Sequence, residues 1–457
     1  MTTPTASPLA RDASEQLLSG WGRTAPSLAH VETVTSVDDV QRLIAAAGDR
    51  GVLARGLGRS YGDAAQSGGG TVLDLAAMSG VVLDPVAGTV TAGGGVTLDD
   101  LLRLIVPAGF FVPVTPGTRM VTVGGAIAAD VHGKNHHVEG TFGSHVTAMT
   151  LVDGSGAVRD LTPDGTPEEF WATVGGMGLT GIITEATFDL IRISSSMISV
   201  DTDRTTGLDD LMDRMIARDD EYRYSVAWID SVHPSGRGVL TRGDHAPADW
   251  LPAKPGTDPL AYGAKALATV PAIFPSGLVN PLTMRAFNEA WFRKAPKSKQ
   301  GELQPIAAFF HPLDIAHEWN RGYGPRGFLQ YQFAVPDAGG HLVATTLDRL
   351  RRIGALSPVT VLKRFGAANP GPLSFPQPGW TLAIDVPAGV DGLAEVLDAL
   401  DELVLAEGGR LYLAKDSRMS PAMMAASYPR LGEWQRVRDR MDPKGVFASD
   451  LARRLSL

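Results

Sequence analysis

Clusters of glycine punctuate the N-terminal part of the chain and limit what it can fold into. They lie at 56–63, 67–70, 92–95, 115–118, 123–125 and 174–178. Glycine lets a backbone approach a ligand closely and present its N–H groups, which suits a pyrophosphate held by main-chain donors. Several such loops in one region indicate a long, extended ligand. The alternative is that these glycines only form tight turns.

The first cluster, GLGRSYGD, follows the short apolar stretch GVLAR, as the glycines of a dinucleotide-binding Rossmann fold follow a strand. The Rossmann fingerprint also needs a helix that begins within the glycine run, and YGDAAQSGGG has no apolar stripe at helical spacing. The sequence therefore argues against a Rossmann fold.

Short helices and strands are predicted around and after these clusters. Ser36 can cap a helix whose apolar residues recur at helical spacing, and Thr97 with Asp100 forms a capping-box-like pair before a second helix. A hairpin is predicted to turn at 153–154. The stretches YRYSVAWID, FLQYQFAV and PVTVLKRFG read as strands, and a further amphipathic helix begins at Leu393. The fold class predicted from this mixture is α+β.

The length of 457 residues exceeds one ordinary core, so two domains are expected. We predict a disordered arm at 1–15, a first domain at 16–190, a second at 191–409 and a C-terminal segment at 410–457. Within the second domain, residues from about 267 to 301 are apolar and then basic, with several prolines and little periodicity. This texture predicts a mobile lid.

Charge and composition exclude several classes of function. The net charge of −9 argues against a general nucleic-acid binder, and the absence of cysteine removes disulfides, thiolate metal sites and cysteine nucleophiles. We expect no signal peptide and no transmembrane helix. The expected location is cytoplasmic or peripheral at the cell membrane, with the periplasmic side left open.

The stretch VHGKNHH at 131–137 concentrates three histidines and a lysine directly after the small, apolar GGAIAAD. One hypothesis is a zinc site made by Asp130, His132, His136 and His137, because imidazole and carboxylate suit that metal. No amphipathic helix presents two of these ligands on one face, which favours the other hypothesis, a ligand pocket without metal. His136 and His137 fit structural hydrogen bonding equally well, so their roles are left open.

Four motifs together resemble the vanillyl-alcohol-oxidase type of FAD-linked oxidases: ARGLGRSYGDAA, TPGTRMVTVGGAIAADVHGKNHH, FWATVGGMGLTGIITEATF and DPKGVFASDLARRL. Within that superfamily, HGKNHH, FLQYQF, LYLAKDS and SDLARRL resemble the decaprenylphosphoryl-β-D-ribose 2-oxidases, the flavin subunits of a 2-epimerase. The resemblance covers nearly the whole chain.

The resemblance implies a two-domain α+β fold of the PCMH type, in which the C-terminal segment completes the FAD-binding domain and the middle forms a substrate domain on an antiparallel sheet. It implies a non-covalent FAD, because Arg59 stands where some relatives carry a linking histidine and no cysteine is available. The residues implied to bind FAD are Ala54, Arg55, Gly56, Leu57, Gly58, Arg59, Ser60, Tyr61, Gly62, Asp63, Ala64, Gly117, Thr118, Thr122, Val123, Gly124, Gly125, Ala129, Asp130, Val131, His132, Ile183 and Tyr412.

The implied reaction oxidises the 2′-hydroxyl of a polyprenylphosphoryl-β-D-ribose to the 2-keto sugar, and an NAD(P)H-dependent short-chain reductase would complete the epimerisation that supplies cell-wall arabinan. Lys415 is the expected holder of the substrate hydroxyl and His132 the expected proton acceptor. The residues implied to bind substrate are Lys134, Trp228, Gln330, Gln332, Lys363, Phe365, Thr381 and Ala383.

Two departures from the family pattern lie on the substrate side. Thr381 and Ala383 stand where mycobacterial relatives carry Asn and Cys, and Phe310 stands where they carry Tyr. These differences leave a second hypothesis open, an FAD-dependent oxidase of a soluble sugar, an alditol or a natural-product sugar. A zinc-dependent hydrolase built on the histidines is the third hypothesis.

Overall fold

The computed structural model describes residues 14–252, 256, 258–273 and 277–457. Most of the predicted N-terminal arm, 1–15, lies outside the described residues. Ser14 and Glu15 are the exception, since they begin the first strand and pair with Val31 and His30. The prediction of disorder is therefore wrong for these two residues.

The strands are β1 Ser14–Leu18, β2 Ser27–Thr33, β3 Val52–Arg55, β4 Thr71–Asp74, β5 Val81–Asp84, β6 Thr89–Gly93, β7 Phe110–Phe111, β8 Val146–Val152, β9 Val158–Leu161, β10 Ile182–Asp189, β11 Ile191–Arg192, β12 Met197–Arg204, β13 Tyr224–Ile229, β14 Gly238–His245, β15 Ala268–Thr269, β16 Ser298–Pro305, β17 Ala316–His317, β18 Phe328–Val335, β19 Thr360–Phe365, β20 Gly379–Pro387 and β21 Arg410–Leu411. The α-helices are α1 Val37–Ala45, α2 Leu98–Ile105, α3 Val123–Ala128, α4 His136–Glu139, α5 Pro167–Thr173, α6 Leu208–Arg218, α7 Pro281–Lys294, α8 Ile306–Phe310, α9 His341–Arg352, α10 Leu393–Ala406, α11 Pro421–Ser427, α12 Leu431–Met441 and α13 Asp450–Leu455.

Two sheets make up the N-terminal part. The first has the order β1-β2-β4-β3, in which β2 pairs with β4 and β4 with β3 in parallel and β1 pairs with β2 antiparallel. The second is antiparallel with the order β5-β6-β10-β8-β9. The helix starts predicted from sequence are confirmed, because the Ser36 side chain accepts from the Asp39 amide before α1 and Thr97 does the same for Asp100 before α2. The glycine clusters at 56–63, 67–70, 115–118 and 174–178 lie in the connections between these elements, whereas 92–95 overlaps the end of β6 and 123–125 lies in the first turn of α3.

The middle of the chain forms one antiparallel sheet of eight strands, in the order β16-β12-β14-β13-β19-β20-β18-β21. All three stretches read as strands are confirmed as β13, β18 and β19. Helix α10 packs against α9 and against strand β18. Because every pairing in this sheet is antiparallel, residues that face each other across neighbouring strands lie on the same face.

The C-terminal segment returns to the N-terminal sheets. Phe447 bridges to Val52 at the start of β3, and the Asp450 amide donates to the Gln66 carbonyl at 2.8 Å. The boundary predicted at residue 410 falls slightly early, because β21 pairs with β18 inside the large sheet.

The segment predicted as a lid, 267–301, is not one continuous loop. It contains β15, helix α7 and the start of β16, while residues 274–276 lie outside the described residues. The sequence pattern missed α7 because this helix buries little more than Met284 and Asn288 and so shows no strong apolar stripe. Its start is defined instead by Asn280, whose side chain forms a capping box with Thr283, and by the proline at the first helical position.

In the described ranges, every helix is too short or too polar to cross a lipid bilayer.

Candidate active site

A long cleft separates the glycine loops of the N-terminal part from one face of the large sheet. It encloses about 1900 Å³ of space not filled by protein atoms, part of which is open to solvent. One wall comes from the loops at 56–61 and 116–125, and the other from strands β18, β19 and β20. The segment that follows β21, ending at Lys415, joins the two walls.

Most of the residues predicted to bind cofactor or substrate line this cleft. They are Ala54, Gly56, Leu57, Gly58, Arg59, Ser60, Tyr61, Ala64, Gly117, Thr118, Thr122, Gly124, Gly125, Ala129, Val131, His132, Ile183, Tyr412, Gln330, Gln332, Lys363, Ala383 and Lys415.

Nine predicted residues lie outside the cleft lining, and the structure gives a reason for each. Five of them were predicted to bind cofactor. Arg55 donates to the carbonyls of Ala65 and Ser19, and Asp63 forms an ion pair with Arg454. Gly62 packs on the Asp416 backbone, Val123 is buried in the core, and Asp130 accepts from Ser374 and Asn369. Among those predicted to bind substrate, Lys134 donates to the Phe309 carbonyl, Trp228 donates to the Pro358 carbonyl, Phe365 packs behind His132 and His136, and Thr381 contacts Gln332.

The register of the large sheet explains why its polar residues meet in the cleft. Gln330 lies opposite Asp385, and Gln332 lies opposite Ala383. Lys363 lies opposite Thr381 on the other side of β20. Since side chains alternate along a strand and cross-strand partners share a face, all of these residues project from one face.

His132 is held between two of these residues. The amide nitrogen of Gln332 donates to His132 Nε2 at 3.0 Å and to the Thr381 hydroxyl at 3.2 Å. His132 Nε2 is therefore an acceptor and the ring proton resides on Nδ1, which lies 3.1 Å from Lys363 Nζ. That contact is a hydrogen bond when Lys363 is a neutral amine, and burial lowers the pKa of Lys363 to about 7.

This arrangement disfavours the predicted role of His132 as the proton acceptor. Both ring nitrogens already have partners. Burial, reinforced by the charge of Lys363, also lowers the pKa of His132 well below its usual value, so the imidazole resists protonation. The geometry makes His132 a fixed neutral bridge between Gln332 and Lys363.

Lys415 enters the cleft from the turn after β21. Its ammonium lies 3.7 Å from the centroid of the Tyr61 ring, within the range of a cation–π interaction. Burial and the charge of Lys363 lower the pKa of Lys415, and Asp385 opposes this effect. Tyr412, three residues earlier, is fixed by donating to the Ala129 carbonyl at 2.7 Å.

Asp385 was not predicted as a site residue. It is fully buried, and its Oδ1 accepts from Gln330 Nε2 at 2.5 Å. Burial raises the pKa of Asp385 above its usual value. The sequence GWTLAIDVP could have indicated this residue. Thr381 and Ala383 were predicted to bind substrate, and Asp385 follows two residues later, so it lies on the same face of the strand.

The cleft mouth contains further residues that sequence reasoning missed. Asp314 accepts from the Thr118 hydroxyl at 2.7 Å and from the Arg119 amide at 2.8 Å, which fixes the loop that carries Gly117. The guanidinium of Arg59 lies 3.8 Å from the centroid of a Trp21 ring. Nothing in the local sequence links residues so distant along the chain.

The four residues of the zinc hypothesis separate in the structure. Asp130 accepts hydrogen bonds from Ser374 and Asn369, and His136 Nδ1 accepts from the Gly366 amide. His137 contacts the carbonyls of Asp219 and Tyr222. Within the described ranges, no three histidine, aspartate or glutamate side chains form a group able to hold a metal.

Comparisons with known proteins agree with this architecture. A family model described as an FAD binding domain matches residues 28–162, and one described as D-arabinono-1,4-lactone oxidase matches residues 389–455. The chain is 46% identical to decaprenylphosphoryl-β-D-ribose oxidase of Mycolicibacterium smegmatis over 449 residues, which are 96% of this chain and 97% of the relative. The chain belongs to this family of FAD-linked oxidases. It is an FAD-dependent oxidoreductase, as the resemblance implied.

Two more distant proteins are similar to this chain over most of its length, one in sequence and one in structure. The alditol oxidase of a Streptomyces species is 25% identical over 89% of this chain and 90% of its own length. The solved structure of 6-hydroxy-D-nicotine oxidase from Arthrobacter nicotinovorans superposes with a TM-score of 0.67 over 97% of this chain and 98% of the other, at 17% identity. This second likeness confirms the predicted fold.

The cleft of this oxidase fits FAD. No backbone N–H of residues 56–60 donates to another backbone carbonyl in the described part of the chain, so these groups are free for a pyrophosphate. A Cβ atom added to Gly117 or to Gly178 would meet no protein atom within 4 Å. Both glycines line the cleft, so a side chain at either would occupy ligand space.

Proposed function

We propose that this oxidoreductase oxidises the 2′-hydroxyl of a polyprenylphosphoryl-β-D-ribose to the 2-keto sugar. The observation that carries the proposal is the 46% identity, over nearly the full length of both chains, to a decaprenylphosphoryl-β-D-ribose oxidase. The cleft supports it, because the polar residues expected at the sugar project from one face of β18, β19 and β20.

Oxidation of a secondary alcohol requires a hydride acceptor and an acceptor for the hydroxyl proton, and FAD supplies the first when it is bound. Lys415 is positioned to hold the substrate hydroxyl, since its side chain enters the cleft where both walls meet. As an ammonium it also offers a positive charge to negative charge that develops during the reaction. The face of the Tyr61 ring contacts the Lys415 ammonium and so supports this side chain.

Lys363 is the stronger candidate for the proton acceptor. It lines the cleft, and with a pKa of about 7 its amine can take up a proton near neutral pH, giving up the hydrogen bond that its lone pair accepts from His132 Nδ1. His132 and Gln332 then act by position: the hydrogen bonds through the imidazole hold the Lys363 amine against the cleft wall. We assign His132 the role of a positioning residue.

The charges around the cleft wall suit a phosphorylated substrate. Lys363 and Lys415 line the wall, and Lys134 lies close enough to Lys363 for the two charges to interact. Each of the three has a pKa lowered first by burial, which means that their charges lack full compensation within the protein. A sugar phosphate supplies the missing negative charge.

Turnover of a prenylated substrate against unprenylated ones tests the proposal. We expect the FAD-loaded protein to be reduced by farnesylphosphoryl-β-D-ribose, with free ribose and xylitol at least ~100-fold poorer in kcat/KM because they lack the phosphate and the prenyl chain. Equal or better reduction by xylitol would contradict the proposal and favour an alditol oxidase, the activity that names the Streptomyces relative.

The product also implies a partner. A 2-keto sugar becomes the arabinose epimer only by reduction at the same carbon, so we propose that an NAD(P)H-dependent short-chain reductase consumes it. With wild-type oxidase and an artificial electron acceptor that reoxidises its flavin, addition of such a reductase and NADH should convert the prenylphosphoryl ribose to the arabinose epimer. Accumulation of the keto sugar despite an active reductase would argue against this partnership.

We further propose that helix α7 contacts a membrane surface, where a prenyl substrate resides. Leu282, Phe287 and Trp291 are 77%, 45% and 42% exposed on this helix, and the rings of the two aromatic residues stack at 6.1 Å. Arg293 and Lys294 lie in its last turn. Exposed apolar residues beside cations are typical of helices that lie at an anionic lipid interface.

The residue of the predicted lid that lies two positions before α7 connects this helix to the cleft. Val279, just before α7, packs against the cluster of Trp21, Tyr323 and Phe328, and Trp319 of the same cluster lines the cleft. Lipid contact at α7 would therefore bring the cleft mouth close to the membrane.

Vesicle sedimentation tests the membrane contact. The triple substitution L282S, F287S and W291S should reduce binding to vesicles that contain anionic lipid at least ~10-fold, because it removes most of the exposed apolar area of the helix. Ile216→Ser is the matched control, since Ile216 is 56% exposed on the separate helix α6. Equal binding by the triple variant and the control would contradict the assignment of α7.

A further inference from the structure

Asp385 lies in strand β20, next to the cleft-lining residues Gln330 and Ala383, in a setting that neither the cofactor nor the proposed proton transfer explains. It is fully buried, although a buried carboxylate is costly unless a nearby charge or hydrogen bonds compensate for it. Its Oδ1 accepts from Gln330, while Oδ2 makes no hydrogen bond of good geometry among the described residues, and the Tyr323 hydroxyl lies near enough to lower the Asp385 pKa against the larger rise caused by burial. A buried acid with one satisfied oxygen needs a positive charge within reach.

Lys415 has the converse need, since its ammonium requires a nearby negative charge. Its ammonium contacts the face of the Tyr61 ring rather than a carboxylate, and Lys363 and His132 lie near it. Among these neighbours Lys363 adds positive charge and His132 is neutral. A buried ammonium in such surroundings loses its proton unless an anion compensates it.

Gln330 connects the two groups. It lies opposite Asp385 in the register of β18 and β20 and donates to its carboxylate. Burial raises the pKa of Tyr61, the residue whose ring supports the Lys415 ammonium; the charge of Asp385 adds to this rise and Gln330 opposes it, so both lie near Tyr61. The four side chains therefore follow one another in the order Asp385, Gln330, Tyr61, Lys415.

We infer that Asp385 is a positioning residue whose carboxylate is the counter-charge that keeps Lys415 an ammonium in the cleft. The inference deepens the proposed function, because it rests on the role given there to Lys415. It requires no direct contact, since two opposite charges in a dry site interact across an intervening ring. Gln330 holds the carboxylate in place, and Tyr61 holds the ammonium.

The test is the pH dependence of the Asp385→Asn variant. Asparagine keeps the shape and can still accept from Gln330, but it removes the charge. The Lys415 ammonium is fully formed below the pKa of Lys415 and is lost as the pH rises through it, which sets the alkaline limb of the activity, while protonation of Lys363 sets the acidic limb. Without Asp385 this alkaline limb should move to lower pH by about 1 unit or more, the usual effect of losing a nearby opposite charge.

A second readout needs no substrate. The visible absorbance of bound flavin responds to a charge beside its ring, so a pH titration of the resting holoenzyme should show the same displacement in Asp385→Asn. Asp401→Asn is the matched control. It also removes a buried carboxylate, but its partners are Tyr331 and Arg418, away from the cleft wall.

The inference would be overturned if the alkaline limb of activity and the flavin titration lay at the same pH in wild type and Asp385→Asn. It would also be overturned if Asp401→Asn moved them as far as Asp385→Asn does. If Asp385→Asn fails to retain FAD, Asp385→Glu replaces it. The charge is then preserved, so the limb should stay at its wild-type position, and a displacement would count against the inference. A wild-type protein that does not oxidise the prenyl substrate defeats the proposed function alone, because the flavin titration still reports on Asp385.

Discussion

Replacing Lys363 by methionine should stabilise the protein while it abolishes most of the activity. Lys363 has a pKa of about 7 in the folded protein against 10.5 ordinarily. A lysine with a depressed pKa destabilises the folded state wherever the unfolded chain still holds its proton. The cost is largest at and below pH 7 and disappears as the pH approaches the unfolded value.

The magnitude follows from the displacement of the pKa. Each pKa unit corresponds to about 1.4 kcal/mol, which gives an upper limit of about 4 kcal/mol near pH 7, about 3 at pH 8 and about 1 at pH 10. The side chain keeps partial access to the cleft, so water will offset part of this cost. Loss of the contact with His132 Nδ1 subtracts a further 1–3 kcal/mol at pH values above about 7, where the Lys363 amine is mostly neutral and the hydrogen bond is formed.

The change with pH of the difference in unfolding free energy between Lys363→Met and wild type is therefore more informative than the difference at one pH. In urea unfolding of the FAD-loaded protein, the stability of Lys363→Met relative to wild type should rise by up to about 1 kcal/mol for each pH unit between pH 10 and pH 7. Lys444→Met, at an exposed lysine, is the matched control and should show no such slope. A stability difference for Lys363→Met that is constant with pH would refute the reasoning, and near-normal turnover would refute the role of Lys363 as proton acceptor.

Three further predictions address the cofactor and Lys415. Lys415→Ala should retain FAD and lose at least ~100-fold in kcat, the scale for removing a group that acts in the transition state, and rapid flavin reduction by substrate would make Lys415 structural. Acid precipitation should release all flavin into the supernatant, because Arg59 occupies the usual linkage position and the chain has no cysteine, whereas flavin in the pellet would show a covalent bond. Gly117→Val should weaken FAD binding at least ~10-fold because its side chain enters the cleft, while Gly48→Val, equally free of neighbours but away from the cleft, should bind FAD normally.

The sequence predicted the elements whose signals are local. Ser36 and Thr97 mark helix starts through their own side chains, and the alternation in FLQYQFAV places Gln330 and Gln332 on one face. The glycine clusters indicated an extended ligand because a bare backbone is a property of the residue itself. These signals do not require knowledge of any distant part of the chain.

The relations that the sequence could not supply are those between distant segments. His132 and Lys363 are separated by 231 positions, and their contact decides which of them can accept a proton. Asp314 fixes the loop of Thr118 from 196 positions away. Helix α7 was missed for a different reason: it is held by its cap and by few buried residues, so the apolar periodicity that identifies most helices is weak.

One physical feature connects these observations. The cleft wall carries amines at Lys363 and Lys415, the buried carboxylate of Asp385 lies next to this wall, and burial depresses the pKa of both amines. A protein selected for stability alone would replace such groups with apolar residues of similar size. Retaining them is reasonable when the ligands are themselves anions, because FAD and a phosphorylated sugar carry the negative charge that the wall lacks. The same argument explains the arrangement within the wall: Asp385 stabilises the amine that must stay protonated, while Lys363, bound to a neutral histidine, is left able to gain a proton.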